Sequence, residues 1–291
     1  MKLKAAAKIN LMLDILGSTT DGYHTLFMIM QSISIFDIVK VDITGNKNEI
    51  SLSCSEPSLP CNEKNIAYKA ADRFFNETGI KNPGVHIDIE KHIPFAAGLA
   101  GGSADAAATL VGLNEILSAK LSVEELCNIG VKIGADVPFC IKGGTMLAMD
   151  IGGVLAPLPP IGDKYYVLIK PDQSVSTKEA YNAFDTAEKI FHPDDTGMLR
   201  ALATGNEDAV YPLIANVFEQ FVEVPDRASI KATMRKHNAL AYCMSGSGPT
   251  VYGIFDSPVK AKACTEDLKK KYNNVFLCGP EKSGVQILDK N

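Results

Sequence analysis

The chain has 291 residues, 46% hydrophobic and 22% charged, with a formal net charge of −5 and a pI near 5.6. That balance excludes a disordered chain, scattered Lys and Arg argue against a nucleic-acid surface, and no apolar run approaches the ~20 residues needed to span a bilayer. Lys8, Asn10 and Asp14 interrupt any signal-peptide-like start, and the seven cysteines contain no C-x-x-C pair, so a soluble cytoplasmic protein with reduced thiols and two compact domains is expected.

Residues 8 to 15 alternate, placing Ile9, Leu11, Leu13 and Ile15 on one strand face and Lys8, Asn10, Met12 and Asp14 on the other. A turn is expected at Asp21-Gly22, then β-rich sequence from Ser32 to Ile43, a short strand at 50 to 54 and a loop at Pro57 and Pro60. Residues 65 to 77 read as a helix, and a strand at 84 to 91 leads into Pro94. The alanine-rich segment from Ala104 to Leu117 predicts a helix with Ser103 as its N-cap. Ser122-Val123-Glu124-Glu125 has capping-box spacing and should open a helix reaching about Ile133, which Gly134 stops.

Pro157, Pro159 and Pro160 mark the strongest boundary, dividing the chain into domains of residues 1–156 and 157–291. Beyond it, Tyr165 to Lys170 reads as a strand, and Val210, Leu213, Ile214, Val217, Phe218 and Phe221 form a helical stripe. A helix at 226 to 237, strands near 239 to 244 and 250 to 255, a helix at 258 to 272 and a strand at 274 to 278 complete a β-α-β-β-α-β order, the split βαβ pattern.

Three segments could carry chemistry. Pro94, Phe95, Ala96, Ala97, Gly98, Leu99, Ala100, Gly101, Gly102, Ser103 and Ala104 lie between a strand and a helix, where glycines let backbone N–H groups face an anion at a positive helix end. The same glycines would equally serve tight packing, and the spacing is neither that of a Walker A loop nor G-x-G-x-x-G. Gly134-Ala135-Asp136-Val137-Pro138 sets an acid just beyond a helix, with Pro138 expected to steer Val137 from helical geometry. A plain capping aspartate is the blander alternative, as a surface lysine is for Lys8. Ser245, Gly246, Ser247, Gly248 and Pro249 form a second glycine loop, which could meet phosphates or be a hairpin. The five histidines have no metal-ligand spacing, and Tyr23-His24 reads either as an exposed turn or as a platform for a flat base.

Taken together, Lys8-Ile9-Asn10, Asp21-Gly22-Tyr23-His24, the Pro94 loop, Gly134 to Pro138 and Ser245 to Gly248 resemble the GHMP kinase superfamily over nearly the whole chain. The resemblance is nearest to its branch acting on a cytidine-diphosphate-linked methylerythritol. It implies an α+β fold in two domains: an ATP-binding domain with a left-handed βαβ unit, then a smaller split βαβ, ferredoxin-like domain. It implies ATP with Mg²⁺, a small-molecule substrate, no nucleic-acid or membrane partner, and a monomer or homodimer. By resemblance Asp136 would be the general base and Lys8 its partner. Asn10, Tyr23, His24, Tyr181 and Ser245 to Gly248 would seat the substrate, and residues 94 to 104 with Asn65 would hold the nucleotide. Ala100 replaces a frequent glycine and Ala104 a usual serine, leaving Ser103 as the candidate metal contact. Kinases of homoserine, mevalonate or a sugar, or a non-catalytic nucleotide-binding regulator, are the rival readings.

Overall fold

In the computed structural model, which describes residues 1–19 and 22–289, the alternating start of the chain forms a long strand, β1 (Lys2–Ser18), hairpinned to β2 (His24–Ile43). Thr19 N donates to Tyr23 O at 2.7 Å across the turn, while Asp21 of the expected Asp21-Gly22 turn lies outside the described residues. Both faces of β1 are covered, so Lys8, Asn10, Met12 and Asp14 are buried along with Ile9, Leu11, Leu13 and Ile15. Each fully buried Ile or Leu on this strand contributes about 1.5–3 kcal/mol, so the backbone carrying Lys8 is firmly fixed.

Next come β3 (Ile50–Cys54), α1 (Ile66–Thr78) and β4 (Val85–Glu90), with β3 and β4 parallel neighbours joined through the helix. Asn65 caps α1 by accepting from Ala67 N, and Gly79 ends it in a left-handed conformation. The chain continues through α2 (Gly101–Ile116), α3 (Val123–Gly130), α4 (Val137–Lys142), β5 (Thr145–Asp150) and β6 (Val154–Pro157). The capping box at Ser122 and Glu125 is present, but α3 ends at Gly130, and Val131 to Ile133 tighten into turns before Gly134.

The remaining elements are β7 (Tyr165–Ile169), α5 (Thr177–Asp185), α6 (Asp195–Ala203), α7 (Glu207–Val210), β8 (Ala215–Asn216), α8 (Arg227–Lys236), β9 (Ala241–Met244), β10 (Val251–Phe255), α9 (Pro258–Lys269), β11 (Val275–Cys278) and β12 (Val285–Asp289). The apolar stripe from Val210 to Phe221 is not one helix. Pro212 lacks the N–H a continuing helix would use, and the chain breaks into 3₁₀ turns around β8, which pairs in parallel with Met12 and Leu13.

An eight-stranded sheet runs β12-β1-β2-β4-β3, with β5 also on β2, β6 on β5 and β8 on β1. Strand β2 is long enough to serve β5 from Leu26 to Gln31 and β4 from Ile38 to Ile43. The second sheet is antiparallel in the order β11-β7-β10-β9, as the split βαβ pattern requires of β7, β9, β10 and β11. Strand β12, which sequence periodicity did not reveal, joins the first sheet by pairing with β1. No helix among the described residues is long and apolar enough to cross a membrane.

Candidate active site

The segment after Pro94 folds into a loop because three of its residues, Ala96, Gly98 and Ala100, take positive φ of 49°, 72° and 58°. Alternation of handedness turns successive N–H groups toward one side, the arrangement that binds anions. Helix α2 starts earlier than expected: Ala100, not Ser103, occupies the N-cap position, and it offers no side-chain acceptor. The first bond of the helix runs from Ala104 N to Ala100 O, so the N–H groups of Gly101, Gly102 and Ser103 have no partner within the helix. A sixteen-residue helix thus presents its positive end uncapped.

Two cavities flank this loop. One, of 440 Å³, is lined by every residue from Pro94 to Gly102 together with Ser58 to Pro60, Lys64, Asn65, Lys91 and Asp105. The other, of 380 Å³, is lined by Lys8, Asp136, Ser103, Thr177, Tyr181, Gly246 and Ser247 over an apolar floor of Leu13, Leu26, Met28 and Phe218. Gly98 and Ala100 line both. Ala104 is buried and lines neither, while Asn65 reaches the first cavity with its amide engaged at both ends, to Ala67 N and Pro60 O.

Lys8 and Asp136 meet in the second cavity from distant parts of the sequence. Lys8 Nζ donates to Asn10 Oδ1 at 2.7 Å and stands 3.8 Å from Asp136 Oδ2. Asp136 precedes α4, yet its side chain caps no backbone N–H. The carboxylate is therefore available to a ligand, unlike a plain capping aspartate. Val137 does enter the helix, contrary to expectation, because Pro138 sits in the first turn, where a missing N–H costs no hydrogen bond.

The second glycine loop is clasped to the first. Ser245 Oγ donates to Gly98 O at 2.9 Å, and Gly246 N donates to Asn10 Oδ1 at 3.0 Å. Gly246 and Ser247 line the cavity, whereas Ser245 and Gly248 hold the turn, through a bond from Gly248 N to Ser245 O and a cis Gly248-Pro249 peptide. Asn216, from the short strand β8, fixes this turn from below with Nδ2 bonds of 2.8 Å to the carbonyls of Met244 and Gly246. Sequence reasoning missed Asn216, since it lies inside an apolar stripe.

A buried charge cluster, also missed, lies beside the loop after Pro94. Lys91 Nζ donates to Asp37 Oδ2 and, at 2.7 Å, to Asp105 Oδ2. Asp37 further accepts the N–H groups of His92 and Ile93, tying β2 to the approach to Pro94. Asp105 Oδ1 has no hydrogen-bond partner among the described residues, and burial raises this carboxyl well above its ordinary value, against the pull of Lys91. Burial opposes the Lys91 charge, but Asp105 and Asp37 carry the ammonium above its ordinary value.

The expected aromatic walls are arranged differently. His24 stacks directly on Tyr181, ring centroids 4.5 Å apart and planes 27° apart, so no base-wide slot separates them. The two form one composite wall, and Tyr23, 64% exposed, stands apart in solvent. Tyr181 is braced edge-on by Phe218, and burial pushes its phenol up to about 12, with the Asp136 charge adding to the shift. Thr177 Oγ1 and Ser247 Oγ, 3.0 Å apart, link the start of α5 to the second glycine loop.

The chain is similar to known proteins over most of its length. The family model for the GHMP kinases N terminal domain matches residues 65–144, and that for GHMP kinases C terminal matches residues 195–274. A 4-diphosphocytidyl-2-C-methyl-D-erythritol kinase of Clostridium botulinum is 45% identical over 279 residues, covering 95% of this chain and 99% of that protein. The protein of that name from Clostridium beijerinckii is 44% identical over 282 residues, with 95% and 99% covered. A crystal structure of 4-(cytidine 5'-diphospho)-2C-methyl-D-erythritol kinase superposes with a TM-score of 0.79 at 29% identity, over 96% of this chain and 99% of that one. A homoserine kinase from Cytophaga hutchinsonii superposes with a TM-score of 0.80 at 20% identity, over 99% and 97%, a likeness of fold alone.

Proposed function

The chain belongs to the GHMP kinases, and on that premise we propose that it transfers the γ-phosphoryl group of ATP to the 2-hydroxyl of 4-diphosphocytidyl-2-C-methyl-D-erythritol, a step of non-mevalonate isoprenoid precursor biosynthesis. The observation that carries this reading is the pair of cavities meeting at Gly98 and Ala100, with Lys8 and Asp136 on one side only. The cavity of Lys91 and Asn65 takes the nucleotide, and the cavity of Tyr181 takes the acceptor. Transfer then crosses the loop's N–H groups, which face charge on the moving phosphoryl.

Phosphoryl transfer asks the protein chiefly to position an in-line attack and to stabilise spreading charge. Asp136 accepts the acceptor's proton; a carboxylate is a weak base toward an alcohol, so the proton moves late, once the new bond is forming. Lys8, held by Asn10, offers a positive charge to the nascent alkoxide. The apolar floor of Leu13, Leu26, Met28 and Phe218 excludes water that would compete as acceptor.

Mg²⁺ fits a site of this kind. The Ser103 hydroxyl lines the cavity beside the loop, and Mg²⁺ is ordinarily held by one or two protein oxygens plus substrate phosphates. Bound there it would neutralise phosphate charge. Free thiols at all seven cysteines favour a cytoplasmic setting.

The test is ATP consumption with the cytidyl-linked methylerythritol, mevalonate, homoserine and galactose. Turnover confined to the first is expected; turnover confined to any other overturns the substrate.

A further inference from the structure

Ala96 and Ala100 take left-handed conformations that alanine rarely adopts, so the loop between β4 and α2 has to be held in shape from outside. One ammonium ties its two ends. Lys91, the first residue after β4, donates to Asp37 on β2 and, at 2.7 Å, to Asp105 one turn into α2. Asp37 Oδ1 also accepts from His92 N at 2.6 Å and from Ile93 N at 2.8 Å, the last two N–H groups before Pro94. A methyl group on Gly101 would stand 3.0 Å from Ile93 Cγ2 and 3.3 Å from Lys91 Nζ, so the entry and exit of the loop lie against each other.

Asp37 is fully buried and lines neither of the two cavities, so any effect it has on a ligand passes through its partners. A buried charge cluster stabilises little beyond what apolar packing would, and its best-attested use is to specify one arrangement. Here that arrangement is a loop whose N–H groups turn to one side. A loop shaped beforehand takes none of the ligand's binding energy for ordering, whereas a loose one does, and the loss falls on affinity. Once ATP is bound the loop is ordered in either case, so turnover at saturation changes less.

We propose that Asp37 is a positioning residue for nucleotide binding: through Lys91 and the N–H groups of His92 and Ile93 it sets the loop in its anion-facing shape before ATP arrives. This rests on the reading of the cavity from Pro94 to Gly102 as the ATP site. The sign of the effect separates this role from a simple charge effect. Asp37→Asn removes a negative charge near the triphosphate, which by Coulomb attraction alone tightens ATP binding. With its oxygen still accepting from His92 and Ile93, the new amide turns its N–H₂ toward the Lys91 ammonium, and two donors cannot bond each other. The clasp opens, and binding weakens.

The experiment measures, for wild type and Asp37→Asn, the Kd of ATP with Mg²⁺ by titration calorimetry in the absence of acceptor, together with kcat and the acceptor KM. ATP binding should weaken about tenfold or more, while kcat and the acceptor KM change by less than about threefold. ATP binding that is unchanged or tighter overturns the inference. So does a loss of kcat and of both affinities by one common factor, which marks a merely structural residue. Hydrogen exchange on the wild type gives a second reading that needs no folded variant: the amides of His92 and Ile93 should be protected before ATP is added. Protection that appears only with ATP shows a loop shaped by its ligand and overturns the inference. Wild-type protein that binds no ATP overturns the nucleotide reading of the loop, whereas normal wild-type binding left unaltered by Asp37→Asn overturns this inference alone.

Discussion

A methyl group on Gly98 would stand 2.2 Å from the carbonyl oxygen of Ser245, so the two glycine-rich loops touch backbone to backbone. Gly98 also has a φ of +72°, which side-chain-bearing residues rarely adopt. Gly98→Ala is therefore expected to push the loops apart and lower kcat/KM for both substrates by at least about tenfold, since small misplacements at a reacting site are costly. Steady-state kinetics with each substrate varied would check this; a variant of wild-type efficiency would show that the contact is not needed.

Asp136→Asn keeps the size of the side chain while removing its charge and basicity. Turnover should fall by about 10² or more with both KM values little changed. Lys8→Ala should likewise lower kcat more than it raises KM for ATP. Unchanged kcat in the first variant, or a pure ATP KM effect in the second, would refute the assigned roles.

Ala100 holds a left-handed conformation at φ 58° where it opens α2. Such a residue costs roughly 1 kcal/mol that glycine avoids. Ala100→Gly should thus raise stability by up to about 1 kcal/mol and leave the loop's N–H groups in place, as denaturant titration and a kinetic assay can show. A loss of stability would mean that the methyl group's packing outweighs the strain.

Asp195 supplies a pH-dependent prediction away from the reacting groups. Burial pushes its carboxyl up to about 6, with the Asp14 charge adding to the shift and His192 opposing it. Asp14 is itself bonded to His192, and Asp195 Oδ1 is buried with no hydrogen-bond partner among the described residues. Because the folded value lies above the ordinary one, the folded state holds this proton more tightly. The associated stability is present below about pH 4 and is lost as pH rises through about 6. Asp195→Asn should therefore gain stability over wild type progressively from pH 4 to pH 7, measured by thermal or urea unfolding; a pH-independent difference would contradict it.

Much of the site was legible because its chemistry sits in short, local patterns. Lys8 and Asn10 share a strand face by alternation, and a glycine loop before an alanine-rich helix marks where unpaired N–H groups could take an anion. Legibility ended where burial or partnership decides. Lys91, in Glu90-Lys91-His92, looks like a solvated strand end, and only the fold reveals Asp37 and Asp105 around it. Asn216 reads as one polar residue in an apolar stripe, yet its amide holds two carbonyls of a turn about thirty residues away. His24 and Tyr181 were both singled out, but periodicity could not reveal that they stack on each other rather than facing across a slot.

Strand β12 pairs Ala5 with Val285 and Leu3 with Ile287, joining widely separated segments along the strand that bears Lys8. During synthesis the first strand leaves the ribosome long before its neighbour exists. That edge of the sheet must wait unpaired until residues 285 to 289 have been made. Closing so large a loop is slow for entropic reasons. A pairing of such wide separation closes beside Lys8, and until it forms that edge is open to the wrong partner.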